Sequence, residues 1–275
     1  MADTAPGAPR PHPPAEPPKT TTVTAHLADD HVLTLTLARP ERLNAFNQTM
    51  LEEFRALWEW AGVRPDVHAV VLRAEGDRAF CTGVDVVEGI DRHPDPFSER
   101  DPGTYLGPKH NRCWKPLVCA VHGMAAGGAL YWLNEADIII ASEEATFFDP
   151  HVTYGMTSAL EPIGLARRIP LGEVLRMALL GNDERMSAAR AREIGFVSEV
   201  VHRAALWDRA QHLAARIAAK PPAAVQGTVR AIWESLDATR SQALATALSY
   251  TQLGNPLGMA QIDRSAVDNS GFEVR

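Results

Sequence analysis

Two glycine turns, each placed directly after a short apolar run, constrain this chain more than any other feature. The first is Ala79-Phe80-Cys81-Thr82-Gly83-Val84-Asp85 and the second is Val121-His122-Gly123-Met124-Ala125-Ala126-Gly127-Gly128-Ala129. In each, an apolar strand runs into glycine and then into a helical start, so N–H groups of the first helical turn point outward at a sheet edge without partners. Two such groups converging on one point make an oxyanion hole. Taken singly, either set of glycines is explained by a tight turn or close packing. Neither turn is a G-x-G-x-x-G after a strand or a G-x-x-x-x-G-K-[ST], so dinucleotide and nucleoside-triphosphate sites are not indicated.

The turns sit in a regular alternation. Leu33, Leu35 and Leu37 alternate with Thr34 and Thr36, the period of a strand. Asn47 is placed to cap a helix carrying Met50, Leu51, Phe54, Leu57, Trp58 and Ala61 on one face, with Gly62 at its end. Ala69 to Leu72 reads as a buried strand, and a turn at Glu75–Gly76 leads into the first glycine motif. A similar unit follows: a strand at Leu117 to Val121, the second glycine motif, a helix from about Gly128 to Glu135 and a strand at Ile138 to Ile140. Between the units, residues 89–112 are rich in charge, proline and glycine and read as a mobile loop or short helix over the site. Beyond Gly172 the spacing is helical over 172–180, 187–194, 205–219, 221–235 and 238–252, with one strand at Val197 to Val201. The expected architecture is a disordered proline-rich tail over 1–20, an α/β core over 21–204 and a helical part over 205–275.

Composition excludes several function classes. Acidic residues outnumber basic ones 34 to 27, and no basic run with interleaved aromatics is present, so nucleic acid is not an expected partner. Cys81, Cys113 and Cys119 are odd in number and form no C-x-x-C pair, which points to neither a disulfide framework nor a metal site and fits a reducing compartment. No uncharged apolar stretch is long enough to span a bilayer and the N-terminus carries no signal-peptide pattern, so the expected location is the cytoplasm. Cys81 reads as a small buried apolar residue, because no base stands beside it in the motif.

Together the motifs resemble the crotonase superfamily, which includes the enoyl-CoA hydratases and isomerases. The matching residues are Arg39-Pro40-Glu41-Arg42-Leu43-Asn44-Ala45-Phe46, then Ala79 to Asp85, then Lys115-Pro116 leading to Val121-His122-Gly123 and Gly127-Gly128. They continue with Ala136-Asp137-Ile138, Ala141-Ser142-Glu143, Gly195-Phe196-Val197 and Val200-Val201, in the same order and spacing from about residue 30 to 205. The resemblance implies an α/β spiral of repeated ββα units, a helical C-terminal part used for assembly as a homotrimer or dimer of trimers, and a pocket for an acyl-CoA. Coenzyme A would arrive as part of the substrate, with no other cofactor. By family position the oxyanion hole is the N–H of Val84 and the N–H of Gly128, and the segment around Ala45 lines the CoA site.

The resemblance breaks at the acid/base residues. Hydratases of the family use two glutamates, and this chain has Tyr131 at the first position and His151 at the second. Histidine titrates near neutrality and keeps a route to proton transfer, whereas a phenol near 10 donates hydrogen bonds and rarely serves as a resting base. Tyr131 therefore reads as a pocket wall or a donor to substrate. If residues 149–151 are extended, Asp149 and His151 share a face and the carboxylate orients the imidazole. Glu161 is the remaining carboxylate in the region, and its local reading is an acidic residue at a helix N-terminus next to Pro162. Trp132, Phe148 and Tyr154 read either as a hydrophobic or aromatic acyl pocket or as core. The leading expectation is a hydratase or isomerase of acyl-CoA with His151 as acid/base group. The alternatives are hydrolysis, decarboxylation or C–C cleavage in the same oxyanion hole, and a catalytically silent acyl-CoA-binding protein.

Overall fold

The computed structural model describes residues 14–91, 95, 97–98, 100–267 and 271–275. The expected disorder of residues 1–13, and part of the reading of the 89–112 loop, lie outside the described residues. Pro14, within the proline-rich stretch, accepts hydrogen bonds from Trp60 Nε1 at 2.8 Å and Arg64 Nη1 at 3.2 Å through its carbonyl.

The chain opens with an antiparallel pair, β1 (Val23–Leu27) and β2 (Val32–Leu37), in which Val23 faces Leu37 and Leu27 faces Leu33. Helix α1 (Gln48–Val63) follows, its Asn47 cap accepting from the Met50 N–H at 3.0 Å. The helix runs one residue past Gly62 and stops where Arg64 becomes extended. Three units then repeat one pattern. Strand β3 (Ala69–Ala74) passes to β4 (Ala79–Cys81), β5 (Leu117–Val121) to β6 (Met124–Ala126), and β7 (Ile138–Ser142) to β8 (Thr146–Phe148). Helix α2 (Leu130–Glu135) lies between β6 and β7, and α3 (Leu160–Leu165) and α4 (Leu171–Leu180) follow β8. The core closes with β9 (Met186–Ser187), α5 (Ala188–Glu193) and β10 (Glu199–Val201). The helices α6 (Leu206–Ala218), α7 (Pro222–Ser235) and α8 (Arg240–Ala260) complete the chain.

The first strand of each unit joins a six-stranded sheet in the order β1-β2-β3-β5-β7-β10, parallel from β2 onward. The second strand joins a smaller sheet in the order β4-β6-β8-β9, parallel except for β9. The chain therefore winds from one sheet to the other in each turn of an α/β spiral. The large sheet is covered on both faces, which explains the continuous apolar runs of its strands. One face carries Leu35, Val70, Cys119 and Ile139 into the main core. The other presents Val71, Val118, Ala120 and Ile140 to α6, whose Leu206, Ala210, Ala214 and Ala218 recur every fourth residue as a narrow stripe.

Trp132 is fully buried, with ring centroids 6.1 Å from Phe46, 5.0 Å from Phe54 and 6.3 Å from Phe80. This cluster fixes α2 against α1 and the small sheet. Of the three aromatic residues offered as an acyl pocket, Trp132 and Phe148 are buried in the core, and Tyr154 is 69% exposed. Among the described residues, no helix is long and apolar enough to cross a membrane.

His122, at the end of β5, is wholly buried, and neither ring nitrogen has a well-formed hydrogen-bond partner among the described residues. Burial first, and the Arg203 charge second, push the imidazole down to about 4 from 6.5, with the Gly76 backbone, Glu144 and Asp77 only partly offsetting them. The ring is neutral in the folded chain and charged in the unfolded chain between those values. The unfolded state then binds more protons, and stability falls as pH falls through this window. Chemical denaturation from pH 6.5 to pH 4 is expected to show a loss of up to roughly 3 kcal/mol from this residue. His122→Phe should flatten that part of the curve.

Candidate active site

The two glycine turns meet. After β4, Gly83 takes a φ of +90°, and the chain runs beside Phe46 as an isolated parallel bridge. The Phe46 N–H donates to the Gly83 carbonyl at 2.9 Å, and the Asp85 N–H donates to the Phe46 carbonyl at 2.8 Å. Because these neighbours face Phe46, the N–H of Val84 between them faces the opposite side. The second turn lies close to Gly83. A Cβ on Gly83 would stand 3.2 Å from the Gly128 nitrogen and 3.3 Å from the Ala126 carbonyl oxygen. A Cβ on Gly128 would strike the Phe46 ring at 2.4 Å. Glycine is required at both places by close approach, and at Gly83 also by the left-handed backbone. Gly128 lies in the 3-10 turn Gly127–Ala129 that opens α2, where amides lack intrahelical partners.

Arg39 locks the first of these segments. Its guanidinium donates to the Ala45 carbonyl at 2.6 Å and to Asp85 Oδ2 at 3.1 Å, and it also pairs with Glu88 at 2.5 Å. Asp85 Oδ1 in turn accepts from the N–H groups of Val87 and Glu88. Burial works to raise the Asp85 carboxyl, but these amides and Arg39 prevail and hold it below the usual range. Ala45 is thus a buried backbone anchor for the segment expected to line the CoA site.

Asp149, His151 and Glu161 converge beside the second turn. A Cβ on Gly127 would lie 3.4 Å from Pro150 and 3.5 Å from His151 Cε1, so the imidazole sits against the turn that carries the Gly128 amide. His151 Nδ1 is 2.5 Å from Asp149 Oδ1, and the same oxygen accepts from the His151 N–H at 3.1 Å. The contact expected from an extended 149–151 segment is present, but a turn makes it. Pro150 is helical, with φ −82° and ψ −8°, and opens the 3-10 turn His151–Tyr154, which folds the Asp149 side chain over the following amide. Ser158 Oγ donates to Asp149 Oδ2 at 2.5 Å. On the other side, Glu161 Oε1 lies 3.8 Å from His151 Nε2.

The environments separate these three groups. The Asp149 hydrogen bond raises the His151 imidazole, against an opposing burial effect, with the Asp149 and Glu161 charges adding to the rise. Burial would lift the Asp149 carboxyl, but hydrogen bonds from His151 and Ser158 bring it below its ordinary value. Burial raises the Glu161 carboxyl, with the Asp149 and Asp101 charges acting in the same direction against its own backbone amide and His151. Glu161 is in the first turn of α3, as its local sequence suggests, and it is also a buried member of this cluster. Asn134 Nδ2 holds the Glu161 carbonyl at 2.8 Å.

Tyr131 stands one helical turn after Gly128, and its hydroxyl donates to Asp101 Oδ2 at 2.6 Å. Its ring occupies the place of a side chain at Gly103, where a Cβ would fall 2.3 Å from Cζ. Burial first, then the charges of Glu161 and Asp101, drive the phenol well above its ordinary range, so it remains protonated. The loop that brings Asp101 is anchored at its far end, where buried Glu135 accepts from the N–H of Lys109 at 2.5 Å and of His110 at 3.3 Å. Asp101, Ser158 and Asn134 are site residues that sequence reasoning missed. Cys81 is buried and its thiol is pushed up to about 12 by burial, which agrees with an apolar packing role.

The family model described as enoyl-CoA hydratase/isomerase matches residues 28–253. The chain belongs to this enoyl-CoA hydratase/isomerase family. It is 34% identical over 208 residues to the (E)-benzylidenesuccinyl-CoA hydratase of Thauera aromatica, covering 74% of this chain and 78% of that protein. It is 33% identical over 202 residues to the 1,2-epoxyphenylacetyl-CoA isomerase of Escherichia coli, covering 69% and 74%. The crystal structure of an enoyl-CoA hydratase/isomerase from Mycobacterium paratuberculosis superimposes with a TM-score of 0.80 at 35% identity, covering 90% of this chain and 94% of that one. The crotonase-type fold expected from the motifs is therefore present.

The Asp149–His151 pair gives a prediction with a definite sign. The folded-state pKa of His151 is raised, so its contribution to stability is present below pH 6.5 and is lost as pH rises through the raised value. Titration of the His151 ring by NMR should place its midpoint above 6.5. Asp149→Asn should bring the midpoint down, since burial then opposes the charge with less compensation.

Proposed function

We propose that this protein is a hydratase or isomerase of acyl-CoA thioesters that moves protons through His151 while the N–H groups of Val84 and Gly128 hold the thioester oxygen. One observation carries the proposal: the imidazole lies against the Gly127–Gly128 turn with Asp149 on one nitrogen and Glu161 facing the other. A base beside a pair of aligned amides is what enolate chemistry requires, since the amides stabilise the oxyanion as the base transfers the proton.

In this reading Asp149 keeps the proton of the neutral imidazole on Nδ1 and leaves Nε2 free to accept one. In hydration, Nε2 takes a proton from water as its oxygen bonds to Cβ, the electron pair of the double bond moves toward the thioester, and negative charge collects on the carbonyl oxygen. The amides of Val84 and Gly128 receive that charge, and Cα then takes a proton from Glu161 or from the imidazolium. In isomerisation the same base removes a proton from one carbon and returns it to another. The arrangement replaces the family's two glutamates by a histidine and a displaced carboxylate. Tyr131, occupied by Asp101, serves as a wall.

Relatives named as a hydratase and an isomerase support this class of chemistry. We further propose assembly as a homotrimer or dimer of trimers through the C-terminal helices, where Leu244, Leu248, Leu253 and Leu257 of α8 are more than half exposed. A cytoplasmic location is supported by three free, buried cysteines.

Turnover of a panel of enoyl-CoA esters, with products identified by mass spectrometry, tests the reading. His151→Gln is expected to lower kcat/KM by about 10²-fold or more with acyl-CoA binding retained. Free acid plus free CoA as the products would instead assign thioester hydrolysis, and tight binding without turnover would assign a silent binding protein. Gly83→Ala should lower kcat by about 10²-fold, because its Cβ would press on the Gly128 amide. Wild-type rates in either variant would reject the assignment.

A further inference from the structure

Asp149 is fully buried, and its two oxygens are served from different directions. Oδ1 accepts from the His151 N–H at 3.1 Å and faces Nδ1 of the ring at 2.5 Å. Oδ2 has one donor among the described residues, the Ser158 hydroxyl at 2.5 Å. The intervening residues 152–157 are all exposed, and the chain turns inward again at half-buried Ser158. Among the described residues, none of the backbone N–H groups of 157–159 donates to another backbone carbonyl. The Ser158–Asp149 contact therefore closes the loop between the His151 turn and the start of α3, whose Glu161 lies 3.8 Å from His151 Nε2.

We propose that Ser158 is a positioning residue for the acid/base pair: its hydroxyl fixes Asp149, moderates the hold of that carboxylate on the His151 proton, and seats the segment that carries Glu161 to the other side of the ring. The proposal rests on the acyl-CoA reading above and assigns a further residue to its proton transfer. A buried carboxylate oxygen without a donor is costly, and Ser158 removes that cost at Oδ2. Its hydrogen bond is strongest when Asp149 bears an uncompensated charge, which is when the imidazole is neutral. The hydroxyl therefore favours the neutral ring, the form that accepts a proton, and opposes the tendency of Asp149 to keep the ring charged. Glu161, on α3, also acts on the imidazole, and Asp101 acts on Glu161. Helix α4, packed on the His151 turn, carries Glu173 and Arg176, which pair with Arg190 and Glu184, and the turn after it carries Asp183. The Ser158 hydroxyl bonds to none of these, so its removal acts on Asp149 first.

Titration of the His151 ring by NMR on the full chain tests the proposal without depending on turnover. In Ser158→Ala the midpoint is expected to rise by about half a pH unit, the opposite direction to Asp149→Asn. The acid limb of the kcat/KM profile for an enoyl-CoA ester should move with it, and kcat should fall about tenfold with KM little changed. Ser158→Thr and Ser158→Val form a second pair of nearly equal shape, of which only the first keeps the donor. The Thr variant is expected to retain the wild-type midpoint and the Val variant to raise it. An unmoved or lowered midpoint in folded Ser158→Ala, or equal midpoints in the Thr and Val variants, would overturn the proposal. Midpoints that move as expected, without turnover of any acyl-CoA by the wild type, would support the positioning of His151 and remove the acyl-CoA reading alone. Turnover with unmoved midpoints would remove this inference alone.

Discussion

The close approach of two backbone segments, at Gly83 and at Gly128, is the constraint on which the rest of the site depends. Neither position tolerates a side chain: one would press on the other turn's amide and the second would enter the Phe46 ring. The surrounding architecture maintains that approach. Strands β4 and β6 pair side by side in the small sheet, so the turns that leave them start from a fixed spacing. Trp132 packs Phe46, Phe54 and Phe80 into one cluster, and Arg39 clamps the Ala45 carbonyl and the Asp85 carboxylate. Buried packing and a buried ion pair thus fix the relative positions of the two turns.

The second feature is the placement of one imidazole between two carboxylates of unlike environment. Asp149 is satisfied by hydrogen bonds and held ionised, while Glu161 is desolvated and its carboxyl is raised. Two chemically similar groups thereby acquire opposite shifts on the two sides of one imidazole. Tyr131 does not join them, because its hydroxyl is already engaged by Asp101 and its burial keeps it protonated. Its ring instead packs against Gly103 in the loop that carries Asp101.

Much of the fold was legible because its signals are local. The alternation of Leu33, Leu35 and Leu37, the Asn47 cap and the apolar runs at 69–72, 117–121 and 138–140 each declare an element within a few residues. Strands β4, β6 and β8 are only three residues long, too short for a period, and their existence depends on pairing with one another across the spiral. The pairing of β1 with β2 likewise sits in residues whose own pattern is weak, alternating Val23 and Ala25 with exposed or half-exposed neighbours. Among site residues, Val84, Gly128 and His151 stand in motifs that spacing can reveal. Asp101 is 30 residues from Tyr131 in a charged loop, and Ser158 is a single serine in an irregular segment, so neither carries a local signal.

The sequence by itself determined the family, the order of the longer strands and helices, the glycine turns, and that Tyr131 and His151 stand where the family has its two glutamates. These follow from residue type and short-range spacing, which steric rules and hydrophobic periodicity translate directly into backbone conformation. Only the tertiary structure decided that the two turns meet, that Asp149 reaches His151 through a turn at Pro150, that Glu161 at its helix end faces the His151 imidazole, and that Tyr131 is held by Asp101. Each of these is a contact between segments whose distance in space is set by packing of both sheets and α1 and α2. No local preference of the chain encodes that distance.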